Sequence, residues 1–164
     1  MDRRRFIALS GTALPLIATV SAQDKPKPAA IPADEVREFV RVGHNDLAAV
    51  QRMLKERPGL LNACWDVGGG DFETALEGAG HVGDRAIAEY LIGQGARANI
   101  FVLTMLGHTA TVKGLLAAYP NLLRSRGPHG LTLLHHAQRG GAPAAELLAH
   151  LTVLGLTETK LPLP

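Results

Sequence analysis

The chain of 164 residues has one cysteine, Cys64, one Trp, no long uncharged apolar span and, once its first residues are set aside, no excess of either charge. Each absence excludes something. A lone cysteine closes no disulfide within the chain, so stability has to come from packing. The longest apolar stretch, Ile7 to Val20, is broken by Gly11 and Pro15. As a helix it would reach roughly 21 Å, short of the roughly 30 Å of a bilayer's hydrocarbon core. Residues 1–22 hold three arginines and one aspartate of the 17 Lys+Arg and 15 Asp+Glu, so the rest of the chain is balanced. The basic character of the whole therefore gives no ground for binding nucleic acid or an anionic membrane. No catalytic nucleophile constellation is present either. Ser125 has His129 four residues away but lacks a G-x-S-x-G turn, and the glycine run Gly68-Gly69-Gly70 has no helix-borne lysine to make it a phosphate loop.

What is present begins with a targeting pattern. Arg3-Arg4-Arg5-Phe6-Ile7 is a cationic start, the apolar stretch follows, and Val20-Ser21-Ala22 offers small residues for cleavage. The order R-R-x-F-I resembles the twin-arginine export signal, which implies a bacterial periplasmic or secreted protein carried across the inner membrane already folded. No cysteine follows the apolar stretch to take a lipid anchor. Residues 23–31, with Pro26, Pro28, Lys25 and Lys27, have little to bury and are expected to be a disordered spacer.

Beyond the spacer the chain reads as paired helices. Asp34 is an expected N-cap, and Val36, Phe39 and Val40 fall on one helical face. After Gly43-His44-Asn45, Leu47, Val50, Met53 and Leu54 mark a second face, ended by Pro58. Thr74-Ala75-Leu76 and Thr132-Leu133-Leu134 open two further pairs, each with an alanine three residues after the leucine (Ala79 and Ala137) and each running through glycine into an apolar amphipathic stretch. This pattern resembles the ankyrin repeat, T-P-L-H-x-A-A-x-x-G. The resemblance implies an all-α helix-turn-helix solenoid over 32–156, with repeats near 32–62, 73–99, 100–123 and 130–156 and a frayed tail at 157–164. It is strongest in the second and fourth repeats. Ala75 and Leu133 stand where the family has proline, Glu77 where it has histidine and Phe72 where it has the turn glycine, so the first long connection is not expected to form the usual hairpin-like turn. Pro58-Gly59-Leu60-Leu61 and Pro120-Asn121-Leu122-Leu123 match in the first and third repeats, which suggests a duplicated two-repeat unit. Its two long connections, 62–72 and 124–130, should then project from one edge.

The first of these, Cys64 to Glu73, is the least ordinary segment. Trp65 and Phe72 are either anchors for a partner or rings that plug the stack beneath a long turn. Asp66, Asp71 and Glu73 supply acceptors, at a spacing that is not an EF-hand's. Arg124 and Arg126 make the second loop cationic, with His129 beside them, so the two loops can grip a ligand between them or satisfy each other. The resemblance directs His81, Met105, His136 and Arg139 toward the concave face, and it assigns His135, His108 and, by analogy, His44 to bonds with neighbouring turn backbone. Glu77 and His81, four apart on one helix, are two groups of an incomplete metal site.

Together these residues predict a non-catalytic, exported interaction module, monomeric and without metal or cofactor, that binds a protein of unknown identity through its concave face and long loops. The alternative is a small-ligand, metal-dependent or hydrolytic protein that uses the acidic glycine-rich loop and the His81 region.

Overall fold

The computed structural model describes residues 28–163, so the expected targeting segment and most of the spacer lie outside the described residues. The described chain is mostly helical, with one small two-stranded sheet. Helix α1 (Ala33–Val42) starts directly after Pro32, and Asp34, expected as its N-cap, instead joins Glu35 in the first turn, where a negative charge favours the helix dipole. Helix α2 (Leu47–Glu56) is capped by Asp46, whose side chain accepts from the Ala49 amide at 2.9 Å. Thr74 caps α3 (Ala75–Val82) in a reciprocal box with Glu77, and Asp84 caps α4 (Arg85–Gly93) through the Ile87 amide. Asn99 accepts from the Phe101 and Val102 amides at the start of the short α5 (Ile100–Met105), which leads into α6 (Thr109–Ala118). Thr132 opens α7 (Leu133–Gly140), and α8 (Ala145–Val153) follows.

Each odd-numbered helix packs on the helix that follows it, and the odd-numbered helices form a row in which α1 touches α3, α3 touches α5 and α5 touches α7. The two matching Pro-x-Leu-Leu strings become the same element, 3-10 turns at Pro58–Asn62 and Pro120–Arg124. The core divides in two. Phe39, Leu60, Leu76, Ile87 and Leu91 lead one cluster, and Val112, Leu133, Leu147 and Leu151 lead the other.

Glycine lets the row close up. A Cβ on Gly43 would lie 2.7 Å from Ala75, one on Gly80 2.9 Å from Val102 Cγ2, and one on Gly140 2.1 Å from the Met105 carbonyl oxygen. These contacts join α1 to α3, α3 to α5 and α5 to α7.

Two connections differ from expectation. The first long loop does form a hairpin, pairing β1 (Cys64–Asp66) with β2 (Phe72–Thr74) in antiparallel register, Trp65 opposite Glu73. The glycines that stand in for the usual turn residues bring this about. Gly68, Gly69 and Gly70 all take positive φ, and Asp66 Oδ1 accepts from the Gly68 and Gly70 amides at 2.9 and 3.1 Å. The tail expected to fray is tied back. Thr132 donates its amide to Thr159 and its hydroxyl to the Glu158 carbonyl, and the Leu161 amide donates to Gly130.

Replacing Gly140 by alanine should lower the unfolding free energy by about 1–3 kcal/mol, the usual cost of forcing extra atoms into packed structure. In α6, where a Cβ on Gly114 meets nothing within 4 Å, Gly114→Ala should instead stabilise by about 0.5–1 kcal/mol. Urea titrations of the two variants check the pair, and equal midpoints would refute the close-approach argument.

Candidate functional site

The two long loops meet. Asp71, at the end of the first hairpin's tip, accepts the His129 backbone amide on Oδ1 and the His129 Nδ1–H on Oδ2, both at 2.8 Å. His129 has φ +60, the only non-glycine residue with positive φ among those described. A left-handed backbone costs a non-glycine residue about 1–2 kcal/mol, and the pair of hydrogen bonds to Asp71 offsets it. The Asp71 clasp also fixes the ring. With Nδ1 donating to the carboxylate, the neutral ring has its lone pair on Nε2, which stands 3.5 Å from Glu73 Oε1.

Glu73 is the centre of the arrangement. Strand β2 turns it inward to 3% exposure, the neighbouring Phe72 outward to 58%, as the period of a strand requires. Three imidazoles surround Glu73 Oε1, with His81 Nδ1 at 3.2 Å, His129 Nε2 at 3.5 Å and His44 Nε2 at 3.6 Å. His44 comes from the turn between α1 and α2, and its Nδ1 donates to the Val40 carbonyl at 3.0 Å, so its Nε2 also faces the carboxylate. His81, on α3, is 8% exposed. Neither Glu73 Oε1 nor His81 Nδ1 has a hydrogen-bond partner of acceptable geometry. Burial dominates the electrostatics. It raises the Glu73 carboxyl above its ordinary range, against the opposing pull of His44 and His129. It also pushes His81 down to about 3, helped by the charges His44 and His129 would carry. Both shifts favour neutral groups where water is excluded. His44, Glu73 and His81 offer donor atoms within 4.8 Å of one another, the grouping among the described residues that can hold a metal ion.

The other expected site residues separate. Glu77 is fully engaged away from His81. Its Oε2 accepts from the Thr74 amide and hydroxyl, and its Oε1 from Asn99 Nδ2 at 2.7 Å, so the Glu77–His81 pair is replaced by Glu73–His81. Met105 and His136, expected on a concave binding face, are each 1% exposed. Met105 packs in the first core cluster, and His136 Nδ1 donates to the Thr132 carbonyl at 2.8 Å, so neither has surface to give a partner. Arg139 is exposed. His135 does bond neighbouring backbone, through Nε2 to the His81 carbonyl at 2.8 Å. His108 is exposed and makes no capping bond. Asp66, Asp71 and Glu73 do not converge as a calcium site. The first closes the hairpin tip, the second clasps His129, and the third turns inward. Trp65 is half-buried under the Arg37 guanidinium, 5.9 Å from the ring centroid, whereas Phe72 is not a plug at all. Cys64 is exposed, yet desolvation and the charges of Glu77, Glu73 and Asp66 push its thiol up, which opposes a nucleophilic thiolate.

His44 is the member the sequence reading missed, because its turn position accounted for one ring nitrogen and left the other unconsidered. The available signal was Gly78, where a Cβ would lie 2.8 Å from the His44 ring. A missing side chain on α3 makes the space that the ring fills.

Beside the cluster, on the outer side of Asp71, lies an open cleft of about 490 Å3 lined by Phe72, Phe101, Arg124, Arg126 and Pro128. Arg124 and Arg126 are exposed and form no ion pair among the described residues.

No protein-family model, curated protein or solved structure matches the chain.

The second buried histidine supplies a test of the electrostatics. Burial, opposed by its bond to Thr132 and assisted by His135, lowers His136 to about 4. A group depressed in the folded state contributes stability that is complete above its unfolded value, about 6.5, and is lost as pH falls toward 4. Urea unfolding should therefore show stability falling by up to about 1.4 kcal/mol per pH unit for this one proton across that window. In His136→Leu, which leaves the Thr132 carbonyl its helical bond from the residue 136 amide, that part of the slope should vanish.

Proposed function

We propose that this protein is an exported, ankyrin-type interaction module that holds a segment of another protein in the cleft between its two long loops and performs no reaction of its own. The reading rests on one observation above others. Two loops 58 residues apart are clasped by Asp71 and His129, and beside the clasp they leave a groove carrying an exposed phenylalanine and two unpaired arginines. An aromatic ring held rigidly at the surface gives large contact area at little entropic cost, and arginine is the charged residue most often found in binding hot spots. The partner segment then carries a carboxylate next to an apolar side chain. The T-x-L repeats and the row of odd-numbered helices support the ankyrin-type stack, which builds extended binding surfaces rather than closed pockets. The targeting pattern of residues 1–22 supports a periplasmic or secreted location, and no described helix is long and apolar enough to cross a membrane.

Affinity capture from the cell envelope fraction checks this reading. A Phe72→Ala, Arg126→Glu variant alters only exposed side chains, so its far-UV circular dichroism should match wild type. Its partner should be retained at least tenfold less well, as expected when a hot-spot pair is removed. Recovery of the wild-type chain alone at every salt concentration, or equal capture by both proteins, would overturn it.

A further inference from the structure

We propose that His44, Glu73, His81 and His129 form a binding site for one divalent transition-metal ion of the zinc class, which ties the two long loops to the helix row.

Val40 and Asp71 take the Nδ1 protons of His44 and His129, so both rings, when neutral, turn an Nε2 lone pair toward Glu73 Oε1, an acceptor when the carboxyl is ionised. Acceptors that converge repel unless something positive lies among them. A single shared proton satisfies one pair; a metal ion satisfies all the donors together. The buried Glu73 Oε1 and His81 Nδ1 are also the two buried side-chain polar atoms left without a partner among the described residues. Buried polar atoms without partners are rare and usually mark a catalytic site, a water or an ion.

Distances agree with the size of the ion. In a tetrahedral site with bonds of about 2.1 Å, neighbouring donor atoms stand about 3.4 Å apart. The three separations from Glu73 Oε1 are 3.2, 3.5 and 3.6 Å; His44, Glu73 and His81 have all their donor atoms within 4.8 Å of one another, and His129 completes the set by drawing closer to the other two rings. Three imidazoles with one carboxylate suit zinc, cobalt, nickel or copper, and are poor in oxygen for magnesium or calcium. Outer partners are in place as well. A histidine that holds a metal ordinarily donates its other ring nitrogen to a carboxylate or a backbone carbonyl. Here His129 does so to Asp71 and His44 to Val40. Finally, the ligands come from four segments: the α1–α2 turn, strand β2, helix α3 and the second loop. An ion held by all four stabilises the left-handed His129 and the loop pairing together. With His129 drawn in as the fourth ligand no position is left vacant, so the ion has a structural role.

The full chain, stripped with a chelator and desalted, is titrated with zinc sulfate and separately with cobalt chloride. The expected result is one ion per chain after a second desalting, the intense visible bands of four-coordinate cobalt, and a zinc-dependent rise in Tm of about 10 °C at a hundredfold excess over Kd. Glu73→Gln should weaken binding at least a hundredfold, and Asp71→Asn, which only orients His129, by about tenfold. The partly exposed His44→Gln, His129→Gln double variant carries the test if the buried Glu73→Gln fails to fold by circular dichroism. His108→Gln and Cys64→Ser should bind as wild type. Stoichiometry well below one, unaltered affinity in the folded ligand variants, or loss of binding in either control would overturn the assignment.

Discussion

Close approach of the odd-numbered helices is the constraint on which the rest of the structure depends. At Gly43, Gly80 and Gly140 a methyl group would meet the next helix at 2.1–2.9 Å, so the spacing of the row is set by backbone in contact with its neighbours. That spacing brings the end of α1, the start of α3 and the loop before α7 into one neighbourhood. His44, Glu73 and His129 can then reach one another across segments far apart in sequence. A wider row would leave each polar group solvated in its own turn. The tight one takes Glu73 and His81 out of water and forces the question of what compensates them.

Electrostatics and backbone strain point to the same place. Burial above all drives Glu73 and His81 toward their neutral forms, while Asp71 and Val40 hold two further imidazoles by their Nδ1 atoms with Nε2 turned inward. The positive φ of His129 lies at the same junction. Strained backbone persists where the surroundings over-determine it, and here a two-pronged carboxylate and the 3-10 turn at Pro128–Gly130 do so. The outward side of Asp71 borders the cleft and the inward side borders the cluster. One residue thus joins the cleft, the second loop and the cluster.

The helices and their faces were legible in the sequence because helical periodicity is local. Phe39, Val40, Val50, Leu54, Ile87 and Leu91 are buried on the faces that the 3.6-residue repeat marks out. Matching Pro-x-Leu-Leu strings became matching 3-10 turns, and the two long loops meet where Asp71 holds His129. Less was legible at the site. Asp71, Glu73, His81 and His129 were singled out by type and segment, but as surface groups, because no local pattern says that β2 turns Glu73 inward. Glu77 looked like the partner of His81 by spacing, yet a capping box claimed both its oxygens. Met105 and His136 were assigned to an open face that α7 and Phe101 in fact cover. The hairpin was missed because three glycines replaced the expected turn residue with a different device of the same effect.

By itself the sequence determined which stretches are helical, which faces are apolar and which two loops are unusual, since each of these depends on residues within a turn or two of one another. Tertiary structure alone decided which polar groups share a space. His44 joins Glu73 only because Gly78 leaves room for a ring, and Asp71 grips His129 only because the helix row sets their loops side by side. Desolvation and donor geometry arise between segments rather than along them, so the histidine–carboxylate cluster exists only in the folded chain.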